Sequence, residues 1–211
     1  QFWSKIRFMN ARQLKWVYLM ILALIWGSSF ILIKKGLVGL TALQLGSLRI
    51  LFAAVFLLLI GFKSLLKIPK EKWKYIALTS LLGTFTPAYL FAIAETEIDS
   101  SITAILNSLT PLNTLILGVI AFGINFKRSQ VWGVFIGLVG SLLLVFNGAI
   151  NHPEQNYYYA ILVLIASICY ATNVNLIKRH LHDLAPLSIT TGNFLVLLLP
   201  ASIILFVSGF F

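Results

Sequence analysis

Residues Trp26 to Leu37 read WGSSFILIKKGL, and residues Tyr170 to Leu181 read YATNVNLIKRHL. In this alignment Lys34 matches Lys178, a shift of 178 − 34 = 144 residues. No gap is needed over about residues 17–64 against residues 161–208. Five apolar runs separate the starts of the two copies, and because five is odd, the second copy enters a membrane from the opposite side. Such an inverted repeat is typical of secondary transporters, which hold substrate near the middle of the membrane.

The composition indicates a helical membrane protein. Of the 211 residues, 59% are hydrophobic and 10% are charged, whereas a soluble domain carries about 25% charged residues. The apolar residues come in runs of roughly 20, the length at which a helix crosses about 30 Å of hydrocarbon. The net charge of +10 does not indicate nucleic acid as a partner, because the basic residues lie in the loops between the apolar runs.

Seven spans are predicted, joined by short loops that Gly, Pro, Asn and charged residues punctuate. We assign residues 14–148 to a first five-helix repeat and residues 156–211 to the start of a second, inverted repeat. The predicted fold is therefore an all-α transmembrane bundle, an inverted five-plus-five repeat truncated after its seventh helix, with three further helices expected after it. The predicted spans are Leu14–Ile33, Ala42–Phe62, Trp73–Ala94, Ile102–Phe122, Val131–Phe146, Tyr157–Ile177 and Leu187–Phe211.

The distribution of basic residues predicts the orientation of the chain. One side of the membrane receives the N-terminal segment and the loops after spans 2, 4 and 6, whereas the other side has only Lys34 and Lys35 and an acidic loop after span 3. This bias predicts a cytoplasmic N-terminus in the cell (inner or plasma) membrane. The basic side carries Lys5, Arg7, Arg12, Lys15, Lys63, Lys67, Lys70, Lys72, Lys74, Lys127, Arg128, Lys178 and Arg179.

Several motifs follow one another in an order that is similar to a known family. Span 1 contains LIWGSSFILIKKGL, span 2 has Arg49 within LGSLRILFAAVFLLL, and span 4 has a small-residue stretch before Pro111. Span 5 adds glycines at 133, 137 and 140. Over about residues 17–211 the chain resembles EamA-type permeases of the drug/metabolite transporter superfamily. The resemblance implies a ten-helix fold that moves small metabolites or drugs, usually outward.

The chain departs from this family pattern at one position. Many relatives carry a glutamate nine residues before the first glycine of span 5, where this chain has Ile124. Any role of that glutamate is therefore not carried over. The glycines of span 5 are predicted to pack against another helix, and Lys34 and Lys178 are predicted to extend to the lipid headgroups.

Arg49 is the first candidate for substrate binding. It lies about seven residues, or roughly 10 Å, inside span 2, where a guanidinium costs several kcal/mol unless it is paired or hydrated. We predict that it binds an anionic group such as a carboxylate. The alternative is a structural role, in which Arg49 pairs with helix-end carbonyls or with Glu95 or Glu97.

The aromatic and small residues of span 1 give a second set of candidates. Trp26 lies in mid-span, although tryptophan favours the membrane interface, and Ser29 follows it within a Gly-Ser-Ser run that also suits close helix packing. Trp26 and its repeat mate Tyr170 are predicted to face each other as a stacking wall for an apolar or aromatic substrate.

Polar residues beside prolines complete the candidate site. Span 4 carries Asn107, Thr110 and Thr114 as one stripe, and Pro111 frees the carbonyl of Asn107. Such carbonyls are tolerated where they line a cavity or find a partner. Helix–helix contact is the alternative for all of these residues. The predicted substrate-binding residues are Trp26, Ser29, Arg49, Tyr89, Asn107, Thr110, Tyr170 and Asn173.

The sequence lacks the residue patterns typical of metal binding, phosphate binding and catalysis. The histidines lie in loops without metal-ligand spacing, no phosphate-binding GxxxxGK[ST] loop occurs, and no His, Asp, Glu or Cys cluster shares one depth. We therefore predict no catalytic residue, no metal and no cofactor. None of the six acidic residues lies in mid-span, and Glu95 is placed at the outer opening. Either the coupling residues of an ion-driven carrier lie in the three further helices, or the protein is a facilitator or exchanger, which we favour.

These observations predict an inner-membrane secondary transporter that exports small organic metabolites or drugs, such as amino acids, by alternating access. A structural or assembly subunit is the alternative from another class. Within transport, an importer or a nucleotide-sugar-type exchanger stays open. The expected partners are a small-molecule substrate and the lipid bilayer, without nucleic acid, and no oligomeric state follows from the sequence.

Overall fold

The computed structural model describes residues 11–123, 128–151 and 154–211. The regular elements of these ranges are helical, and seven of the helices are long and apolar enough to cross a membrane. The all-α, seven-span architecture is therefore confirmed, whereas Lys5, Arg7, Ile124, Lys127 and His152 lie outside the described residues. Spans 1 to 7 are Leu14–Gly36, Ala42–Leu65, Lys70–Glu97, Ser100–Ile120, Arg128–Gly148, Tyr157–His180 and Pro186–Val207.

Five of the spans are built on continuous helices. Span 2 begins with a capping box, in which the Thr41 hydroxyl accepts from the Gln44 amide and the Gln44 side chain accepts from the Thr41 amide. These two bonds satisfy backbone donors that a helix start leaves open. The five helices are Ala11–Gly36, Ala42–Leu65, Arg128–Asn151, Ala160–His180 and Pro186–Val207.

Span 3 is interrupted in its middle. A 3-10 turn (Lys70–Lys72) and a helix (Trp73–Ser80) lead into a π-helical turn (Leu81–Phe85), and a second helix (Thr86–Glu97) completes the span. Pro87 is the physical cause, because it has no N–H to donate to the carbonyl four residues earlier. Inserted π turns of this kind occur often at functional sites.

Span 4 is interrupted in the same way. Its first helix is Ser100–Asn107, its second is Thr110–Ile120, and a turn at residues 108–109 joins them just before Pro111. In each of these two spans the proline lies in the first turn of the second helix, where its missing N–H costs least. Both breaks lie near the middle of the span.

Spans 2 and 7 form the most extensive helix pair. They run antiparallel, because Gln44 Nε2 at the start of span 2 donates to the carbonyl of Ser208 (3.1 Å), just past the end of span 7. At the other end, Gly61 lies against Thr191. Antiparallel packing is what the inverted repeat requires of these two mates, although the repeat itself stays a prediction.

Spans 1 and 5 lie at the edge of the described bundle and are its least buried spans. The predicted close packing of the span 5 glycines is wrong for the described structure, since a Cβ added at 133, 137 or 140 meets nothing within 4 Å. The glycines at 133 and 137 instead border a groove of about 270 Å³ beside Pro111 in the break of span 4. Close helix contact occurs elsewhere, at Gly46, Gly61 and Gly83.

Candidate functional site

Arg49 is exposed in the described chain. The buried face of span 2 includes Ser47 and Ile50, so the helical twist directs Arg49 to a different side. Within the described residues its guanidinium forms no hydrogen bond or close ion pair, and it interacts electrostatically with Tyr170 of span 6 and Glu95 of span 3. The predicted structural pairing with helix-end carbonyls or acidic side chains is therefore not formed at contact distance.

Tyr170 belongs to a row of three aromatic rings that crosses three spans. Its ring stacks on Phe91 of span 3 at a centroid distance of 5.9 Å. Phe91 in turn meets Phe30 of span 1 edge-on at 5.5 Å. The predicted stacking of Trp26 on Tyr170 is wrong, because Phe91 stands between spans 1 and 6. Trp26, one helical turn before Phe30 on span 1, is 67% exposed.

Glu95 is fully buried, although the sequence placed it at an outer opening. Its Oε2 lies 3.0 Å from the Ser100 hydroxyl. Within the described part of the chain, its Oε1 has no hydrogen-bond partner. A buried carboxylate with only one hydroxyl beside it is costly in a membrane, where water does not hydrate it.

Lys34 closes the C-terminal end of span 3. Its ammonium donates to the carbonyls of Glu95 (2.8 Å) and Ile98 (3.0 Å). A cation is favourable at this end of a helix because the helix dipole is negative there. The prediction that Lys34 extends to the headgroups is therefore wrong, whereas Lys178 is exposed.

Asn173 faces the π turn of span 3. A Cβ added at Gly83 would lie 2.5 Å from Asn173 Cγ and closer still to its Nδ2, so only glycine permits this approach. Among the atoms that the structure describes, Asn173 Oδ1 is buried without a hydrogen-bond partner. The Asn173 side-chain oxygen, which could still accept a hydrogen bond, thus lies at the mid-span break of span 3, one helical turn along span 6 from Tyr170.

Four predicted site residues have contacts that also explain them as packing residues. Thr110 Oγ1 donates to Asn107 Oδ1 (3.2 Å) across the break of span 4. The Tyr89 hydroxyl is 2.8 Å from that of Ser47 in the core between spans 2, 3 and 7. The Ser29 hydroxyl donates to the carbonyl of Trp26 within its own helix (2.7 Å).

Other polar side chains of the spans join neighbouring helices. Asn175 Nδ2 donates to the carbonyl of Thr114 (2.9 Å), and Asn113 Nδ2 donates to the Ser167 hydroxyl (2.8 Å). Asn193 of span 7 contacts Thr79 of span 3 at 3.0 Å. These side chains therefore form helix–helix contacts, which is the alternative to lining a cavity.

The structure thus brings Arg49 and Tyr170 together and adds Phe91, which was not predicted for this place, and Glu95, which was predicted only as a structural partner of Arg49. We call these four residues the Arg49 cluster. An exposed guanidinium beside a tyrosine can bind a carboxylate or another planar anion through paired N–H donors. No group of three or more His, Cys, Asp or Glu that could hold a metal occurs among the residues described.

Comparison with known proteins gives a consistent result. The model of the EamA-like transporter family matches residues 14–146. An uncharacterized transporter of Archaeoglobus fulgidus is 27% identical over 187 residues, which cover 84% of this chain and 62% of the relative. The uncharacterized inner membrane transporter YedA of Escherichia coli K12 is 32% identical over 155 residues, with 71% and 48% covered.

A probable amino-acid metabolite efflux pump of Salmonella typhimurium is 24% identical over 188 residues, covering 86% of this chain and 60% of that protein. The chain therefore spans between about half and two thirds of the length of these relatives. No solved structure matches it.

Proposed function

The chain belongs to the EamA-like transporter family, and we propose that it acts as an inner-membrane secondary transporter that exports small organic solutes such as amino acids. Membership of the family and seven helices that are long and apolar enough to cross a membrane support transport rather than catalysis. The name of a relative that is 32% identical to this chain places that relative in the inner membrane. The names of two relatives describe efflux of amino-acid metabolites, and we propose the same direction of transport for this chain.

The exposed guanidinium of Arg49 is the observation that carries the proposed site. Arg49 lies inside a span and has no hydrogen-bond partner within the described chain. A bare guanidinium in this setting is unfavourable, and an anionic group supplied by a substrate would satisfy it. Tyr170 would pack against the organic part of the substrate, and Asn173 would offer its open carbonyl oxygen to a donor on it.

The remaining predicted residues have weaker support in this proposal. Asn107 and Thr110 flank the break of span 4, and their mutual hydrogen bond would exchange for a substrate contact. Trp26, Ser29 and Tyr89 keep their predicted roles only if the bundle rearranges around spans 1 and 3. In the structure Trp26 is exposed, the Ser29 hydroxyl forms an intrahelical bond, and Tyr89 packs in the core.

Alternating access would use the broken spans as its moving parts. Spans 3 and 4 each divide into two helices at mid-span, and in many transporters discontinuous helices form the substrate site. The units 14–148 and 156–211 would then be the two halves that rock against each other. The antiparallel pairing of spans 2 and 7 supports this arrangement.

Efflux from cells tests the proposal. Cells that express the full-length protein are loaded with a panel of labelled amino acids, and efflux is compared with that of Arg49→Gln and of Lys35→Gln, which removes an exposed cation at the end of span 1. A hydrogen bond to a charged group contributes about 1.5–3 kcal/mol, so Arg49→Gln should weaken apparent affinity roughly 10- to 160-fold. Efflux that is unchanged in Arg49→Gln, at equal membrane expression, would refute the proposed site.

A further inference from the structure

Ser100 lies between two acceptors and has only one proton to give. Its hydroxyl oxygen is 3.0 Å from Glu95 Oε2 and 3.1 Å from the backbone carbonyl of Phe30. A serine hydroxyl carries one O–H donor and two acceptor lone pairs. Both contacts are therefore full hydrogen bonds only if a second proton is present. That proton fits on Glu95, which would donate to Ser100 while Ser100 donates to Phe30.

The burial of Glu95 points to the same conclusion. The residue is fully buried in span 3, and its Oε1 lacks a hydrogen-bond partner in the described part of the chain. An ionised carboxylate at such a place costs several kcal/mol unless it is closely paired. A protonated carboxyl group carries no net charge, so it avoids this cost.

The charged groups around Glu95 do not form the close pair that an ionised carboxylate needs. Lys34 of span 1 binds two backbone carbonyls, and the charges of Lys34 and of Arg49 in span 2 act on the Glu95 carboxyl group only through space. On its own span, Glu97 is exposed, and Asp99 in the following turn is held by Gln155. The Tyr170 hydroxyl of span 6 interacts with Arg49 rather than with the carboxyl group.

We propose that Glu95 is a proton-binding site that controls the anion affinity of Arg49, so that the carrier binds the anionic group of its substrate together with one proton and moves both outward down the substrate's own gradient. This inference rests on the proposed role of Arg49 and adds a coupling ion to it. With a proton on Glu95, the positive charge of Arg49 is uncompensated and attracts an anion. When the Glu95 O–H bond breaks and the proton leaves to water, the carboxylate compensates Arg49 and the anion is released.

This proposal replaces the interpretation that the sequence favoured. The absence of a carboxylate in mid-span indicated a facilitator or exchanger. Glu95 is instead a buried carboxyl group that interacts electrostatically with the exposed Arg49. This arrangement supports proton-coupled transport of a compound with a carboxylate or similar anionic group.

Infrared difference spectroscopy tests the proton directly and needs no substrate. The full-length protein in lipid is compared between mildly acidic and alkaline pH, and the C=O stretch of a protonated carboxyl group is recorded. We expect a band that is lost at alkaline pH, is absent from Glu95→Gln, and persists in Glu97→Gln, the exposed control two residues away. A wild-type spectrum without the band, or a band that persists in Glu95→Gln, would overturn the proposal.

Transport tests the coupling. Exchange of a mixture of ¹⁴C-labelled L-amino acids into proteoliposomes is measured at subsaturating concentration as a function of pH. If one proton binds with the anion, the rate should rise by up to about tenfold for each pH unit of acidification. Glu95→Gln, which imitates the protonated form, should be insensitive to pH, and Glu97→Gln should behave like the wild type.

The two experiments separate the possible failures. If the wild-type protein moves none of the labelled compounds while the infrared band behaves as expected, the proton site stands and the proposed function for these substrates fails. If transport occurs but Glu95→Gln keeps the pH dependence of the wild type, the proton site fails and the proposed function stands.

Discussion

Gly61 of span 2 allows a quantitative prediction, because among the described glycines its added Cβ would come nearest to another residue, Thr191 of span 7. A Cβ at Gly61 would lie 3.1 Å from Thr191 Cβ, 3.2 Å from its Cγ2, and much closer to its Oγ1. Both residues are buried, and Thr191 is β-branched, so rotation about χ1 replaces one clashing atom with another. We therefore expect Gly61→Ala to push the antiparallel pair apart.

The magnitude follows from two opposing effects. Overpacking costs about 1–3 kcal/mol, and replacing glycine by alanine in a helix returns about 1 kcal/mol. The net loss of stability should be up to about 2 kcal/mol. For a protein of this size each kcal/mol lowers the melting temperature by about 2–4 °C, so the purified protein in detergent should melt up to about 8 °C earlier.

A double-mutant cycle tests the cause. Thr191→Ala removes the clashing atoms together with a hydroxyl that lacks a hydrogen-bond partner within the described residues, so its own effect should be small. Gly61→Ala combined with Thr191→Ala should melt close to Thr191→Ala alone, a coupling of up to about 2 kcal/mol. Gly137→Ala in span 5, where an added Cβ meets nothing within 4 Å, should not lower stability. Equal losses at positions 61 and 137, or no rescue by Thr191→Ala, would refute the reasoning.

Three further predictions concern polar contacts. Tyr89→Phe leaves the buried Ser47 hydroxyl without its partner and should cost about 1–3 kcal/mol in thermal unfolding. Lys34→Met uncaps span 3 and should accelerate amide hydrogen exchange at residues 95–98, whereas unchanged exchange would contradict the capping role. The hydrogen bond from Lys72 lowers the pKa of Asp183 below its usual 3.8. The stability that this contact adds should therefore be present above that pKa and disappear as the pH falls through the lowered value, which melting curves of wild type and Asp183→Asn can show.

Most of the fold could be predicted from the sequence because the membrane imposes simple rules. Apolar runs of about 20 residues predict spans, and prolines and glycines predict where helices end or break. Pro111 predicted a freed carbonyl in span 4, but spans 3 and 4 were predicted as continuous and their breaks were not foreseen. The error at the span 5 glycines arose because a G-x-x-x-G spacing shows that a helix has a flat face, but not which helix covers it.

The site could be predicted only in part. Arg49 was found because a charge inside an apolar run stands out in any sequence. Tyr170 was found through the repeat, but its partner was assigned wrongly, since repeat mates need not touch and Phe91 fills the space between the spans. The burial of Glu95 depends on Lys34 and Ser100 from two other spans, and no local pattern reports such a contact.

Counterflow in proteoliposomes tests the central claim most directly. Vesicles that contain the purified full-length protein are loaded with an unlabelled amino acid, and the transient accumulation of the same labelled compound is followed. We predict accumulation with the wild type and with Lys35→Gln, and a loss of at least tenfold with Arg49→Gln at subsaturating concentration. Equal accumulation by Arg49→Gln would contradict the assignment of Arg49, and no accumulation of any compound by the wild type would contradict the proposed transport of amino acids.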